Sequence, residues 1–124
     1  MKKITKYPKT KKEFHDYHIL LWTEIMVLLI ENGAEKYEDG INLKKCAFKS
    51  LFYFGYKHVI GYCFGCAWKI QQPCLFRFHC DRNGDVDGLC LKRYWDKFRF
   101  NIDTNDTPAA LKHALLIRNF PVRK

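Results

Sequence analysis

The chain lacks the features that would place it in a membrane or outside a cell. No run of about 20 apolar residues is present, and the longest, Ile19 to Ile30, is interrupted by Thr23 and Glu24, so we expect a buried helix there and no membrane span. The N-terminus has lysines but no apolar segment with a small-residue cleavage site after it. We therefore expect no secretion signal and a cytoplasmic protein.

Catalytic motifs are also missing. Ser50 is the only serine, and the five histidines show no H-x-x-x-H or triad-like grouping. Neither usual glycine-rich phosphate loop is present. The loop Asp81 to Gly88 is rich in aspartate and glycine, but its sixth position is Val86 and its twelfth is Lys92, where a calcium loop needs glycine and glutamate. We expect a protein that is not an enzyme.

Composition and charge predict one domain with a basic extension. The 124 residues are 48% hydrophobic and 16% aromatic, enough to build a single core. Net charge is +9, and residues 1–12 hold six lysines without an acid, whereas the rest of the chain has 16 basic and 13 acidic residues. The pattern predicts a flexible arm over residues 1–12 and one domain over residues 13–124. Such an arm contacts phosphates or an acidic protein, or is a solvated terminus.

Apolar spacing and capping signals predict two helices. Apolar residues three or four apart between Phe14 and Leu29 mark one helix, and Asn32-Gly33 should end it. A terminal helix is predicted over Ala109 to Asn119, because Asp103 to Pro108 offers N-caps and places proline just inside the helix start. Pro121 should stop that helix.

The sequence between these helices is less regular. Asp39-Gly40 predicts a turn. The range Cys46 to Tyr62 is apolar on all sides, which predicts a buried element that fits a helix and a strand equally well. We therefore expect a small α+β fold, with N-terminal and C-terminal helices around a cysteine-rich segment.

Six cysteines suggest how that segment is held together. In a cytoplasmic protein they are thiols by default, and Cys63-Phe64-Gly65-Cys66 has the spacing that lets two thiolates meet one tetrahedral zinc ion. Ordinary buried thiols and a redox C-x-x-C are the competing interpretations. Cys46 stands apart and is interpreted as a core thiol, and His79 is a further group with a usable nitrogen. The candidate zinc ligands are Cys63, Cys66, Cys74, Cys80 and Cys90.

A family resemblance is carried by four pieces of sequence: His18 with Leu21-Trp22, Cys63 to Ala67, Cys90 to Trp95, and Ile117 to Arg123. With them the chain resembles the small, uncharacterised cysteine-rich proteins of bacteriophages and prophages, over most of its length after residue 12. The resemblance implies a phage protein in a bacterial cytoplasm and no particular activity.

The resemblance also bears on the zinc ligands. Four-cysteine zinc sites in such proteins look like two C-x-x-C pairs, whereas here Arg77 stands where Cys74 would need its partner. Either Cys74 with Cys80, or Cys80 with Cys90, would then complete the site.

Two functions fit these features. The first is binding to a host or phage protein, such as inhibition of a host defence protein, since aromatic residues are common anchors of interfaces. The second is binding to DNA or RNA, with basic residues on phosphates and Tyr94, Trp95, Phe98 and Phe100 stacked on bases. The alternation of basic and aromatic residues in this part of the chain also describes an amphipathic element whose aromatic side is buried. The candidate binding residues are Lys2, Lys3, Lys6, Lys9, Lys11, Lys12, Lys92 and Arg93.

Overall fold

The computed structural model describes residues 3–54 and 91–120, and most of these residues belong to four α-helices. They are α1 (Lys11–Asn32), α2 (Gly40–Leu51), α3 (Leu91–Asp103) and α4 (Thr107–Arg118), and a 3-10 turn, Ala34–Lys36, follows α1. None of these helices is long and apolar enough to cross a membrane.

The expected α+β fold is wrong for this part of the chain. Residues 3–54 and 91–120 contain no strand, and their extended pairing is limited to a parallel bridge between Ile4 and Phe52. The ambiguous apolar segment that begins at Cys46 is helical as far as Leu51. The local sequence of this segment fitted a helix and a strand equally well, and the segment is helical because it packs against α1 and α3 as part of α2.

The first helix begins and ends at residues that stabilise its free backbone groups. The hydroxyl of Thr10 accepts the amide proton of Glu13, and the Glu13 carboxylate accepts the amide proton of Thr10, each at 3.1 Å. This capping box starts the helix at Lys11. At the other end Gly33 takes φ +83°, and a Cβ there would lie 2.6 Å from the Glu35 carboxylate. The predicted end at Asn32-Gly33 is confirmed.

The predicted turn at Asp39-Gly40 and the predicted N-cap region from Asp103 to Pro108 both lie at the start of a helix. Asp39 accepts the amide proton of Asn42 at 2.7 Å and caps α2, so Asp39-Gly40 opens a helix where we expected a turn. Asp106 accepts the amide proton of Ala109 at 3.2 Å and caps α4. The terminal helix is therefore confirmed, with its start two residues earlier than predicted.

The core lies where α1 meets the other three helices. α4 runs antiparallel to α1, because the Thr107 hydroxyl accepts the Ala34 amide proton at 2.8 Å while the carbonyl of Ile117 lies 2.9 Å from Nε2 of His18. Ala110 and Ala114 are buried and let α4 approach closely. The largest fully buried side chains are Leu21, Ile25, Leu29, Leu43, Phe48, Phe98, Ile102 and Ile117.

The described part of the predicted arm contacts this helical body. The amide of Ile4 donates to the Leu51 carbonyl at 2.7 Å, and the amide of Tyr53 donates to the Ile4 carbonyl at 2.8 Å. The ring of Tyr7 meets Phe14 and Phe54 edge-on at 5.8 and 5.2 Å. The backbone of this segment is therefore bound to the domain, and residues 11 and 12 belong to α1.

Candidate partner-binding surface

The last two helices form a hairpin with a short connection. Asn105 takes φ +57°, a conformation that asparagine tolerates better than most residues, and the amide of Asp106 donates to the Asn101 carbonyl at 2.8 Å. The chain therefore reverses within three residues. At the open end of the hairpin, Tyr94 contacts Phe120 edge-on with ring centroids 6.0 Å apart.

A polar contact joins the C-terminal end of α3 to the middle of α4. The side-chain amide of Asn101, which is 8% exposed, lies 2.6 Å from Nδ1 of His113. We assign the orientation in which the Asn101 nitrogen donates to His113 Nδ1 and to the Lys97 carbonyl at 2.9 Å, because it gives both amide atoms suitable partners. In this arrangement Nδ1 of His113 accepts the hydrogen bond, which corresponds to the neutral tautomer with its proton on Nε2.

Two lysines converge on His113 from different helices. Burial is the main cause of the lowered pKa of His113, and the charges of Lys97 on α3 and Lys112 on α4 lower the pKa further, whereas the Ala109 carbonyl acts in the opposite direction. Lys97 and Lys112 are both exposed, and they lie on the two helices that the contact of Asn101 with His113 holds together, so their charges belong to neighbouring parts of one side of the hairpin.

Apolar side chains are exposed on the same side of the hairpin. Phe100 lies one turn after Lys97 and is 64% exposed, and Leu116 lies one turn after Lys112 and is 38% exposed. We use the term basic–apolar surface for Arg93, Lys97, Phe100, Lys112 and Leu116.

Acidic side chains border this surface on one side. Asp96 and Asp103 are exposed on the edge of α3 that is turned away from α4. Positive charge is therefore concentrated between the two helices. An apolar centre with basic side chains on its α4 side suits a partner that offers an apolar contact with acids on the matching side.

The remaining aromatic residues of α3 belong to the core. Phe98 is fully buried, and Trp95 stacks on it at 5.8 Å and meets Trp22 edge-on at 6.0 Å. Tyr94 packs against Phe120. Of the four aromatics considered for base stacking, Phe100 alone is exposed, which favours the amphipathic interpretation of α3 for the other three.

A buried lysine, which sequence reasoning missed, lies between α2 and α3. Lys44 is 8% exposed, and its Nζ lies 4.8 Å from the centroid of the Trp95 ring and 5.8 Å from that of Trp22. The ammonium group is held by cation–π contacts. The sequence did contain a signal for the burial of Lys44, because Lys44 lies next to Leu43 and three residues before Ala47, which are on the buried face of α2.

The basic residues predicted to bind a partner are spread over two regions. Lys3, Lys6, Lys9, Lys11 and Lys12 are exposed, and Lys12 forms an ion pair with Asp16 at 2.8 Å. Arg93 is exposed on α3. Lys2 lies outside the described residues, as does the side chain of Lys92.

The predicted zinc ligands Cys63, Cys66, Cys74, Cys80 and Cys90 also lie outside the residues that the structure describes, together with His79. Within residues 3–54 and 91–120 no three histidine, cysteine, aspartate or glutamate side chains come together in a way that could hold a metal ion. The prediction of Cys46 as a core thiol is wrong: its thiol is exposed, because it lies outside the face of α2 that Lys44, Ala47 and Phe48 bury.

No protein-family model, curated protein or solved structure matches this chain. The function is therefore inferred from the chain's own residues.

Proposed function

We propose that this protein acts without catalysis, by binding an acidic protein through the basic–apolar surface. The observation that carries the proposal is the exposure of Phe100, 64%, on a helix whose other aromatics are packed inward. A large exposed aromatic side chain is a frequent anchor at protein interfaces. Arg93, Lys97 and Lys112 would attract an acidic partner and orient it.

The partner's origin follows from the resemblance to phage proteins. A phage accessory protein of this kind works in the bacterial cytoplasm and binds a host or phage protein there, and inhibition of a host defence protein fits a chain that has no catalytic motif. Zinc bound by four of the five candidate cysteines would stabilise the segment between α2 and α3.

Recovery of the tagged, full-length protein from its host tests this function. The bound material is treated with nuclease, and the proteins that remain are identified by mass spectrometry. A stoichiometric protein that survives the treatment supports the proposal, and a preparation that loses its only partner to nuclease contradicts it.

Variants then place the interface. Phe100→Ala should weaken binding of the recovered partner at least about tenfold, as expected for an anchor. Ile41→Ala is the matched control, because Ile41 is 46% exposed on α2 and is not part of the basic–apolar surface. Lys97→Glu with Lys112→Glu should slow association more than it speeds dissociation, because exposed charges act mainly on encounter. Equal effects of Phe100→Ala and Ile41→Ala would contradict the assignment of this surface.

Nucleic acid is the alternative partner, and the exposed lysines at residues 3–12 favour it. Each phosphate contacted would lower the logarithm of affinity by about 0.7 to 0.9 per logarithmic unit of salt. Replacing Lys3, Lys6 and Lys9 by glutamine would then flatten the slope, whereas Phe100→Ala would change affinity little. For a protein partner we expect the reverse order of effects.

A further inference from the structure

Lys44 on α2 is a buried cation whose contacts do not satisfy its hydrogen-bond donors. The residue is 8% exposed, and its ammonium nitrogen lies 4.8 Å from the centroid of the Trp95 ring and 5.8 Å from that of Trp22. The rings attract a positive charge, but they do not replace the oxygen acceptors that three N–H donors need. Among the residues that the structure describes, none accepts a hydrogen bond from this nitrogen or forms an ion pair with it.

A second cation, Arg99 on α3, lies over the same ring. Its guanidinium carbon is 5.8 Å from the centroid of Trp95. Its side chain packs against α2, because a Cβ on Gly40 would come within 3.0 Å of the Arg99 Cγ. Gly40 lies one turn before Lys44 on α2. The two positive groups therefore share one aromatic ring in the contact between α2 and α3.

Within residues 3–54 and 91–120 no acid balances these two charges. Arg99, like Lys44, forms no ion pair there, although Asp103 lies only one turn after it on α3. Asp39 at the start of α2 accepts the amide proton of Asn42 at 2.7 Å and serves as the helix cap. Burying a charge is costly unless an opposite charge and hydrogen bonds accompany it. A buried donor without an acceptor is one sign of a bound ion.

Solvent reaches one side of this pair of cations. Arg99 is exposed and Trp95 is half-buried, whereas Lys44 is buried. A ligand would therefore enter past the guanidinium group and meet the ammonium group at the inner end. This entry lies apart from the basic–apolar surface, because Arg99 and Phe100 are neighbours in sequence and lie on different sides of α3.

We propose that Lys44 and Arg99 bind a phosphate dianion beside the ring of Trp95, either as free phosphate or as the terminal group of a small phosphomonoester. Ammonium and guanidinium groups only donate hydrogen bonds, so the ligand must supply acceptors. A phosphomonoester supplies three acceptor oxygens and a charge of about −1.5 to −2 near pH 7, which matches two cations. A carboxylate would leave one positive charge unbalanced.

Isothermal titration of the full-length chain with inorganic phosphate tests the proposal, at constant ionic strength and about pH 7.5, where the dianion predominates. Lys44→Met should raise the dissociation constant at least about tenfold, because it removes a charge-assisted hydrogen bond and largely keeps the packing volume. Lys45→Met is the matched control, because it removes the same charge from the exposed neighbouring position. It should leave the constant within about twofold.

Arg99→Gln keeps the proposal testable if Lys44→Met does not fold. Arg99 is exposed, so its replacement should leave the circular dichroism spectrum unchanged while phosphate binding weakens about threefold or more. Phe100→Ala should leave phosphate binding unchanged. A failure of the phosphate site can therefore be distinguished from a failure of the proposed protein interface.

Three probes define the ligand. Tighter binding of inorganic phosphate than of glycerol phosphate would assign free phosphate, and the reverse order would assign a phosphomonoester; both results support the proposal. Dimethyl phosphate has a single charge and should bind at least about tenfold more weakly. Equal affinity for dimethyl phosphate, equal effects of Lys44→Met and Lys45→Met, or no binding of these probes up to about 10 mM would overturn the proposal.

Discussion

Removal of the N-terminal segment should destabilise the domain, although its lysine content predicted a flexible arm. The proposed variant lacks residues 2–9, so that Met1 precedes Thr10 and the helix cap is kept. It loses the two backbone hydrogen bonds of Ile4, with Leu51 and Tyr53, and the contacts of Tyr7 with Phe14 and Phe54. A flexible arm over residues 1–12, as the sequence predicted, could be deleted without loss of the fold, whereas the contacts of Ile4 and Tyr7 lead to the opposite expectation.

The size of the effect follows from these contacts. Each backbone hydrogen bond contributes about 1 kcal/mol, each edge-on aromatic pair about 0.5 to 1.5 kcal/mol, and Phe52, now 2% exposed, would become more accessible to water. The conformational entropy that the segment regains offsets part of the sum. We expect a net loss of about 2 to 3 kcal/mol, which lowers the Tm of a domain of this size by about 10 °C.

Thermal unfolding followed by circular dichroism measures this loss. A variant with Lys3, Lys6 and Lys9 replaced by glutamine is the control, because it removes the charge and keeps the packing, and it should melt within about 2 °C of the parent chain. Tyr7→Ala should reproduce roughly half of the loss caused by the deletion. A deleted chain that melts within about 2 °C of the full-length protein would refute the packing argument.

Three further predictions concern the interior and the metal. Lys44→Ala should lower the free energy of unfolding by about 2 kcal/mol through lost cation–π and packing contacts, while Lys45→Ala, at the exposed neighbouring position, should change it by less than about 0.5 kcal/mol; equal effects in denaturant titrations would contradict the buried position of Lys44. Because burial lowers the pKa of His113 in the folded state, the stability that its neutral form contributes is complete above pH of about 6.5 and is lost as the pH falls through the lower folded pKa. His113→Gln should therefore reduce the decline in Tm between about pH 7.5 and 5, and an unchanged decline would assign it to other groups. Elemental analysis of reduced protein never exposed to chelator should find about one zinc per chain, and less than about 0.2 would rule out the predicted site.

Local signals predicted the end of α1 and the presence of the terminal helix. Gly33 and Asp106 each act on backbone groups within a few residues along the chain, so their effect depends little on the rest of the fold. The capping box of Thr10 and Glu13 is a signal of the same kind, which the expectation of a flexible arm over residues 1–12 overlooked. The distribution of charge is likewise a property of the sequence.

The candidate surface was only partly predictable. The basic residues and the four aromatics of α3 were recognised from the sequence, but periodicity alone did not say which side of α3 the other helices cover. Packing buries Phe98 and Trp95 and leaves Phe100 exposed. The convergence of Lys97 and Lys112 depends on the α3–α4 hairpin, because the two residues lie fifteen positions apart along the chain.

By itself the sequence determined the end of α1, the presence of α4 and the excess of positive charge, since capping and composition are local properties. Only the tertiary structure decided that the segment from Cys46 to Leu51 is helical, that Lys44 is buried while Cys46 is exposed, and that Ile4 and Tyr7 pack against the domain. Each of these outcomes depends on which face of an element a distant part of the chain covers. Contacts between residues far apart in sequence determine that choice, and no local pattern encodes them.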